Sequence, residues 1–240
     1  MGKQFPISGQ IMNIIEIREL TFQWPRQTQP LLEIPSLVVK KGEKVFIKGP
    51  SGSGKSSLLS LLAGINEPTS GTVELLGQPF SSLKPTARDR FRADHIGYIF
   101  QMFNLLPYLS VIDNVLLPCR FSELRKKQIN GGMYEQAKEL LSQLHLPSEC
   151  LARPISELSI GQQQRVAAAR ALIGKPKLLI ADEPTSALDH DNREAFIKLL
   201  MAECDKSDTT LLFVSHDETL EPLFDRSINL NAINEAVRGQ

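Results

Sequence analysis

The chain has 240 residues, of which 42% are hydrophobic and 22% charged, and its 27 basic side chains balance 27 acidic ones. That much apolar material supplies an ordinary globular core, which excludes a disordered or fibrous chain. The formal charge of zero argues against a protein that works by gripping nucleic-acid backbones, and no nucleic-acid partner is expected.

In chain order, the first ten residues are polar and carry Pro6 and Gly9, so no secretory signal is expected there. Residues 12–49 read as strands: Ile14, Ile15 and Ile17 precede Leu20 and Phe22, an apolar stretch follows over 31–39, and Val45-Phe46-Ile47 resumes the sheet after a polar turn containing Gly42. Residues 57–63 have the length and apolar face of a helix, and a turn at 69–71 leads to a short strand over 72–76. The basic side chains Lys84, Arg88, Arg90 and Arg92, interleaved with Asp89 and Asp94, read as a solvated face. From about residue 102 to 157 the chain is mostly helical, with breaks at Pro107, Pro118, Gly131-Gly132, Pro147 and Pro154. This reads as a helical lobe inserted into a sheet protein. A helix over 161–173, a strand over 178–181, a helix over 192–203 and a strand over 211–214 follow. Short apolar runs alternating with helices imply a mostly parallel sheet covered on both faces. Cys119, Cys150 and Cys204 are scattered and odd in number, which suits a reducing compartment. No run approaches the roughly 18 apolar residues of a membrane span, so a cytosolic chain is expected, reaching any membrane through another subunit.

Three short segments carry chemistry. Gly49-Pro50-Ser51-Gly52-Ser53-Gly54-Lys55-Ser56 fits G-x-x-x-x-G-K-[ST] between an expected strand and an expected helix, with Ser57 next in line. Glycines let backbone N–H groups wrap phosphate oxygens, and the N-terminus of the helix adds its dipole. In this motif Lys55 reaches the β- and γ-phosphates and the Ser56 hydroxyl ligates Mg²⁺. The second segment is the apolar run over 178–181, which ends in Asp182-Glu183 at the carboxyl end of a strand, where α/β sheets bind ligands. Asp182 is the expected holder of Mg²⁺, directly or through water, and Glu183 the expected base for the attacking water. The third is Leu158-Ser159-Ile160-Gly161-Gln162, where Ser159 is a natural N-cap for the helix carrying Arg165 and Arg170.

This last segment resembles the LSGGQ signature of ATP-binding cassette (ABC) ATPases, and other parts match in order over residues 13–230. Gln101 stands where the family has its Q-loop glutamine, which senses Mg²⁺ and the attacking water. Ser186-Ala187-Leu188-Asp189 stands at the D-loop and His216 at the switch histidine. Trp24 stands at the adenine-stacking aromatic, though it is also readable as a partly buried strand residue, with Phe22 as the other adenine partner. Asp189 either caps the following helix, crosses to a second subunit, or does both. Stretches such as Gln101-Met102-Phe103-Asn104-Leu105-Leu106-Pro107 resemble the lipoprotein-release, macrolide-export and heterocyst-exporter branch. One departure stands out: Ile160 replaces the first glycine of the signature pair, and a β-branched residue avoids φ > 0, so ordinary negative φ is expected there while Gly161 is kept.

The resemblance implies an α/β P-loop NTPase with a mostly parallel sheet, an N-terminal antiparallel β subdomain and an inserted helical subdomain. It places the ATP-binding core at 13–101 and 158–230, the helical subdomain at 102–157 and a tail at 1–12. It further implies an Mg²⁺-dependent ATPase. Ser159, Gly161 and Gln162 of one copy would cover the nucleotide held by Gly52 to Ser56 of another, making a homodimer. A transmembrane permease would seat on a groove near Phe103, Leu105, Leu106, Pro107 and Tyr108, about half of which are expected to be core. The chain would then lie on the inner face of the cell membrane through that permease, driving an exporter or a lipid- or lipoprotein-extracting system. A cell-division-type engine that moves no substrate is the alternative. DNA-repair and translation relatives carry coiled coils or a second cassette, neither of which fits 240 residues.

Overall fold

The computed structural model describes residues 13–186 and 190–237. Strand β1 (Asn13–Phe22) buries Ile15, Ile17, Leu20 and Phe22, and it pairs antiparallel with β2 (Leu32–Lys40) and β4 (Ser70–Leu75) in the order β2-β1-β4. The second sheet is wholly parallel. It joins β3 (Lys44–Lys48), β5 (Ile96–Ile99), β6 (Leu178–Asp182), β7 (Thr210–Val214) and β8 (Arg226–Asn229) in the order β5-β6-β7-β3-β8.

Period-two alternation divides the interior between the faces of the parallel sheet. Leu179, Ala181, Leu211 and Phe213 point into one core, with helices α3 (Val111–Phe121), α5 (Met133–Gln143), α6 (Ile160–Leu172) and α7 (His190–Ser207). Ile180, Leu212 and Val214 point the other way, onto α1 (Lys55–Leu62) and the antiparallel sheet. Because all five strands run the same way, the segments that leave β5, β6, β7 and β3 emerge at one edge. That edge holds Gln101, Asp182-Glu183, His216 and the glycine-rich loop.

The helical region is riveted to the core by a buried cation. Arg125, in α4 (Glu123–Lys127), is 1% exposed and donates to the carbonyls of Ile96 at 2.5 Å, Ala171 at 3.2 Å and Ile173 at 3.2 Å. Two of those carbonyls belong to the C-terminal end of α6, where a positive charge is favourable. Burial brings the guanidinium down to about 10, and its Nε has no acceptor. Gly174 sits at φ 69°, and a Cβ there would meet the Arg125 Cβ at 2.5 Å and its carbonyl oxygen at 2.8 Å.

Two expectations are corrected. Residues 84–94 are not a uniformly solvated face: α2 (Pro85–His95) buries Arg88, which pairs with Glu67, and Arg92 donates to the carbonyl of Ala63 at 3.1 Å. The side-chain charges end on carbonyls and a carboxylate, so they pack. Helix α3 runs through Pro118, which costs one backbone hydrogen bond and does not stop a helix already anchored by its Ser110 N-cap. Phe103 is core, as half of the proposed groove was expected to be, and Leu105 packs against that core, whereas Tyr108 is exposed. Strand β8 and the short α8 (Leu230–Ile233) carry too little apolar periodicity to be read in advance.

Candidate active site

The loop after β3 is shaped by its glycines. Gly52 has φ 82° and Gly54 has φ 95°, a left-handed N-cap immediately before α1. A Cβ on Gly54 would meet the Leu32 side chain at 2.6 Å, and one on Gly49 would meet Ser53 Oγ at 2.7 Å. The loop therefore needs glycine for backbone conformation at one place and for close approach at the other. Lys55, 8% exposed, folds back to donate to the carbonyls of Gly49 at 2.7 Å and Pro50 at 3.0 Å. Its ammonium is held by neutral oxygens, which an incoming phosphate outbids electrostatically. Ser53 Oγ is buried with no partner. An orphaned hydroxyl beside free loop amides fits an anionic oxygen arriving there.

Opposite the loop, Glu183 has φ 46°, unusual for a residue with a Cβ, and its amide donates to the Val214 carbonyl at 2.9 Å. That turn aims the carboxylate at the end of β7, where Glu183 Oε2 lies 2.7 Å from His216 Nδ1. Asp182 stays on β6, hydrogen-bonded by the Tyr98 hydroxyl. Burial, and then the charge of Glu183, push its carboxyl above the usual range, while Tyr98 and Lys55 oppose that rise. An ionised Asp182 is thus short of positive charge. Its carboxylate, the Ser56 hydroxyl and the Gln101 amide are oxygen donors of the kind Mg²⁺ prefers, although of the three only Ser56 and Gln101 line the cleft at the loop.

Ser51, Gly52, Gly54, Lys55, Ser56, Ser57, Gln101, Glu183 and His216 line one cleft of about 480 Å³, with Leu31 at its rim. Gly49, Pro50, Ser53 and Asp182 are not among its lining residues. Trp24 does not line the cleft. It is 38% exposed and meets the edge of Phe22 at 5.0 Å, while Phe22 is 4% exposed and so is not free to stack on a base. Ser159, Gly161 and Gln162 lie outside the lining as well. Ser159 caps α6 in a reciprocal pair: its Oγ accepts from the Gln162 amide at 3.3 Å, and Gln162 Oε1 accepts from the Ser159 amide at 2.9 Å. Ile160 has helical backbone, so the missing glycine leaves the turn unstrained, and its side chain is 54% exposed. Asp189 lies outside the described residues.

Several supporting residues were not anticipated. Gln164, buried in α6, donates to the carbonyl of Pro184 at 2.7 Å and so ties the signature helix to the Asp182-Glu183 turn. Arg193 in α7 pairs with Asp217 at 2.7 Å beside His216. Asn114, fully buried, accepts from the Leu106 amide at 2.8 Å and donates to the carbonyls of Leu106 and Ser110 at 3.0 Å. A polar residue on an apolar helix face was the available signal for Gln164 and Asn114.

Residues 32–186 match the family model described as ABC transporter. The chain is 40% identical over 220 residues to the uncharacterized ABC transporter ATP-binding protein YbbA of Escherichia coli K12, covering 91% of this chain and 94% of that one. It is also 40% identical over 220 residues to the lipoprotein-releasing system ATP-binding protein LolD of Psychrobacter arcticus, covering 92% and 95%. Among solved structures, the dimeric MJ0796, a bacterial ABC transporter cassette, superposes with TM-score 0.78 at 33% identity over 90% of this chain and 93% of that one. A post-hydrolysis dimer of MJ0796 with ADP and Pi gives TM-score 0.78 at 31% identity, over 92% and 95%.

Proposed function

The chain belongs to the ABC transporter family and is its ATP-binding, ATP-hydrolysing subunit; from that premise we propose how its residues act and what it drives. Backbone amides of Gly52 to Ser56 and the Lys55 ammonium hold the phosphates of ATP. Ser56, Asp182 and Gln101 would hold Mg²⁺, which would supply neutralisation of the phosphates' negative charge. Glu183 orients the attacking water and takes its proton. His216, hydrogen-bonded to Glu183, fixes that carboxylate and presents its other ring nitrogen toward the γ-phosphate. Trp24, partly exposed where Phe22 is buried, is the aromatic that would stack on the adenine.

The carrying observation is a division of parts. Loop, glutamine, glutamate and histidine share one cleft, while the Ser159 end of α6 is turned outward and lines none of it. Each copy thus has half of a site to offer, and a two-fold homodimer completes both, with Ser159, Gly161 and Gln162 of one copy covering the γ-phosphate of the other and Asp189 crossing between them. Nucleotide present in the closed pair and absent after hydrolysis supplies the differential contact that a mechanical cycle requires.

The driven partner is a transmembrane permease. None of the described helices is long and apolar enough to cross a membrane. A groove lined by Tyr98, Phe100, Leu117 and Phe121 opens beside the turn that follows Gln101, and Phe121 is 72% exposed. That is where a permease segment would seat, on the inner face of the membrane. The likeness to LolD supports a lipoprotein- or lipid-extracting exporter. The test is Glu183→Gln with ATP and Mg²⁺: a stable dimer is expected by sedimentation, and a membrane protein with few spans and a large extracytoplasmic domain is expected to co-purify. A strictly monomeric trapped variant would overturn the shared-site reading.

A further inference from the structure

Gln101 is exposed, and it is followed by a tight turn in which Phe103 has φ 59° and Asn104 has φ 50°. Two successive non-glycine residues in the left-handed region are costly and persist only where the surroundings hold them. The turn is closed by the Phe103 amide donating to Phe100 O at 2.9 Å and the Asn104 amide donating to Met102 O at 2.6 Å. Its two outward carbonyls are taken by one side chain. Arg170 Nη1 donates to Asn104 O at 2.6 Å, and Nη2 donates to Phe103 O.

Arg170 is 8% exposed and forms no ion pair with a described carboxylate, so this fork of carbonyls is what satisfies its buried charge. It stands in the last turn of α6, whose first turn is capped by Ser159. A 13-residue helix is a rod of about 20 Å. One end thus faces outward, toward the partner copy of the proposed dimer, and the other grips the turn behind Gln101.

We propose that Arg170 is a positioning residue for Gln101: it fixes the turn after the glutamine to the signature helix, so that a displacement of α6 is delivered to the metal-sensing side chain. The inference rests on the proposed dimer and on the proposed role of Gln101 at Mg²⁺. Loss of the fork frees the two strained residues to relax, and Gln101 then loses its place while the phosphate loop, built on other elements, keeps its own.

The test uses the full chain carrying Arg170→Met or Arg170→Lys. For Arg170→Met, the Mg²⁺ concentration giving half-maximal hydrolysis at fixed ATP is expected to rise about tenfold while affinity for ATP without Mg²⁺ stays within about twofold. Arg170→Lys, which keeps the charge and one donor direction, is expected to fall between. A lowered kcat with an unchanged Mg²⁺ requirement would overturn the proposal, since a partly misfolded population lowers kcat alone. A nitroxide on Met102→Cys, the three native cysteines being buried, gives a second reading. Met102 is 81% exposed, so the nitroxide is mobile in both; it is expected to be more mobile in Arg170→Met than in the parent, and equal mobility in the two would also overturn the link. If Arg170→Met does not fold, Arg170→Lys carries both comparisons. A Gln101→Ala control separates the layers: an unchanged Mg²⁺ requirement there refutes the metal role of Gln101, and the nitroxide still decides the Arg170 link.

Discussion

Glu183 combines an unfavourable backbone conformation with a short contact to His216, and the two are connected: ordinary strand geometry would send its side chain to the opposite face from Asp182. Glu183→Gln keeps size and backbone, so it isolates the charge. It is expected to lower turnover by about 10²–10⁴-fold with ATP affinity within a few-fold, measured by phosphate release and nucleotide titration. Asp182 gives a different signature. Its folded-state pKa is raised, so its contribution to stability is fullest below the unfolded-state value and is lost as pH rises through the folded one. At neutral pH the nucleotide-free protein therefore carries a cost at this carboxylate, which added Mg²⁺ with ATP is expected to relieve. Asp182→Asn is expected to raise the melting temperature of the nucleotide-free protein at pH 7, with the gain shrinking toward acid pH, while abolishing stabilisation by Mg²⁺ and ATP. Scanning calorimetry over a pH series checks both.

At the scale of the element, α6 shows most plainly what a sequence can and cannot tell. Its start was readable because Ser159 is a natural N-cap, which the structure completes with Gln162 as a reciprocal pair, and its end because Gly174 and Pro176 cannot continue a helix. The chemistry at the edge of the parallel sheet was readable for a similar reason, since β3, β6 and β7 are short apolar runs each ending in a polar motif. The attachments of α6 were not readable. Gln164, Arg170 and the Arg125 that caps its last turn act through backbone carbonyls, and a carbonyl leaves no mark in the residue type. Trp24 is the opposite case: its residue type is informative, but its distance from the loop is not written in the chain. The two roles of Ser159 can be separated. Ser159→Ala is expected to cost about 1 kcal/mol of stability from the lost cap. Ser159→Asp retains a cap but sets a negative charge against phosphate. Both are expected to bind ATP as monomers and to lose hydrolysis, with only the alanine variant melting earlier, as denaturant titration and phosphate release would show.

For the molecule as a whole, Arg125 makes the helical region and the core one cooperative body. Arg125→Met leaves three buried carbonyls without their donor and is expected to destabilise the fold by about 3 kcal/mol. The affinity for ATP is expected to stay within a few-fold, because the loop after β3 is built from other elements; denaturation and nucleotide titration together test this. The strand order β5-β6-β7-β3-β8 has a consequence of a different kind. β3 is flanked in the finished sheet by β7 and β8, which are made after every other described strand. A nascent polypeptide stalled before Thr210 has synthesised the whole glycine-rich loop yet lacks both strands that hold its base in register. The loop's supporting sheet is therefore expected to close only after residues 210–229 have been made, and ATP binding is expected to be absent from a nascent chain stalled before Thr210.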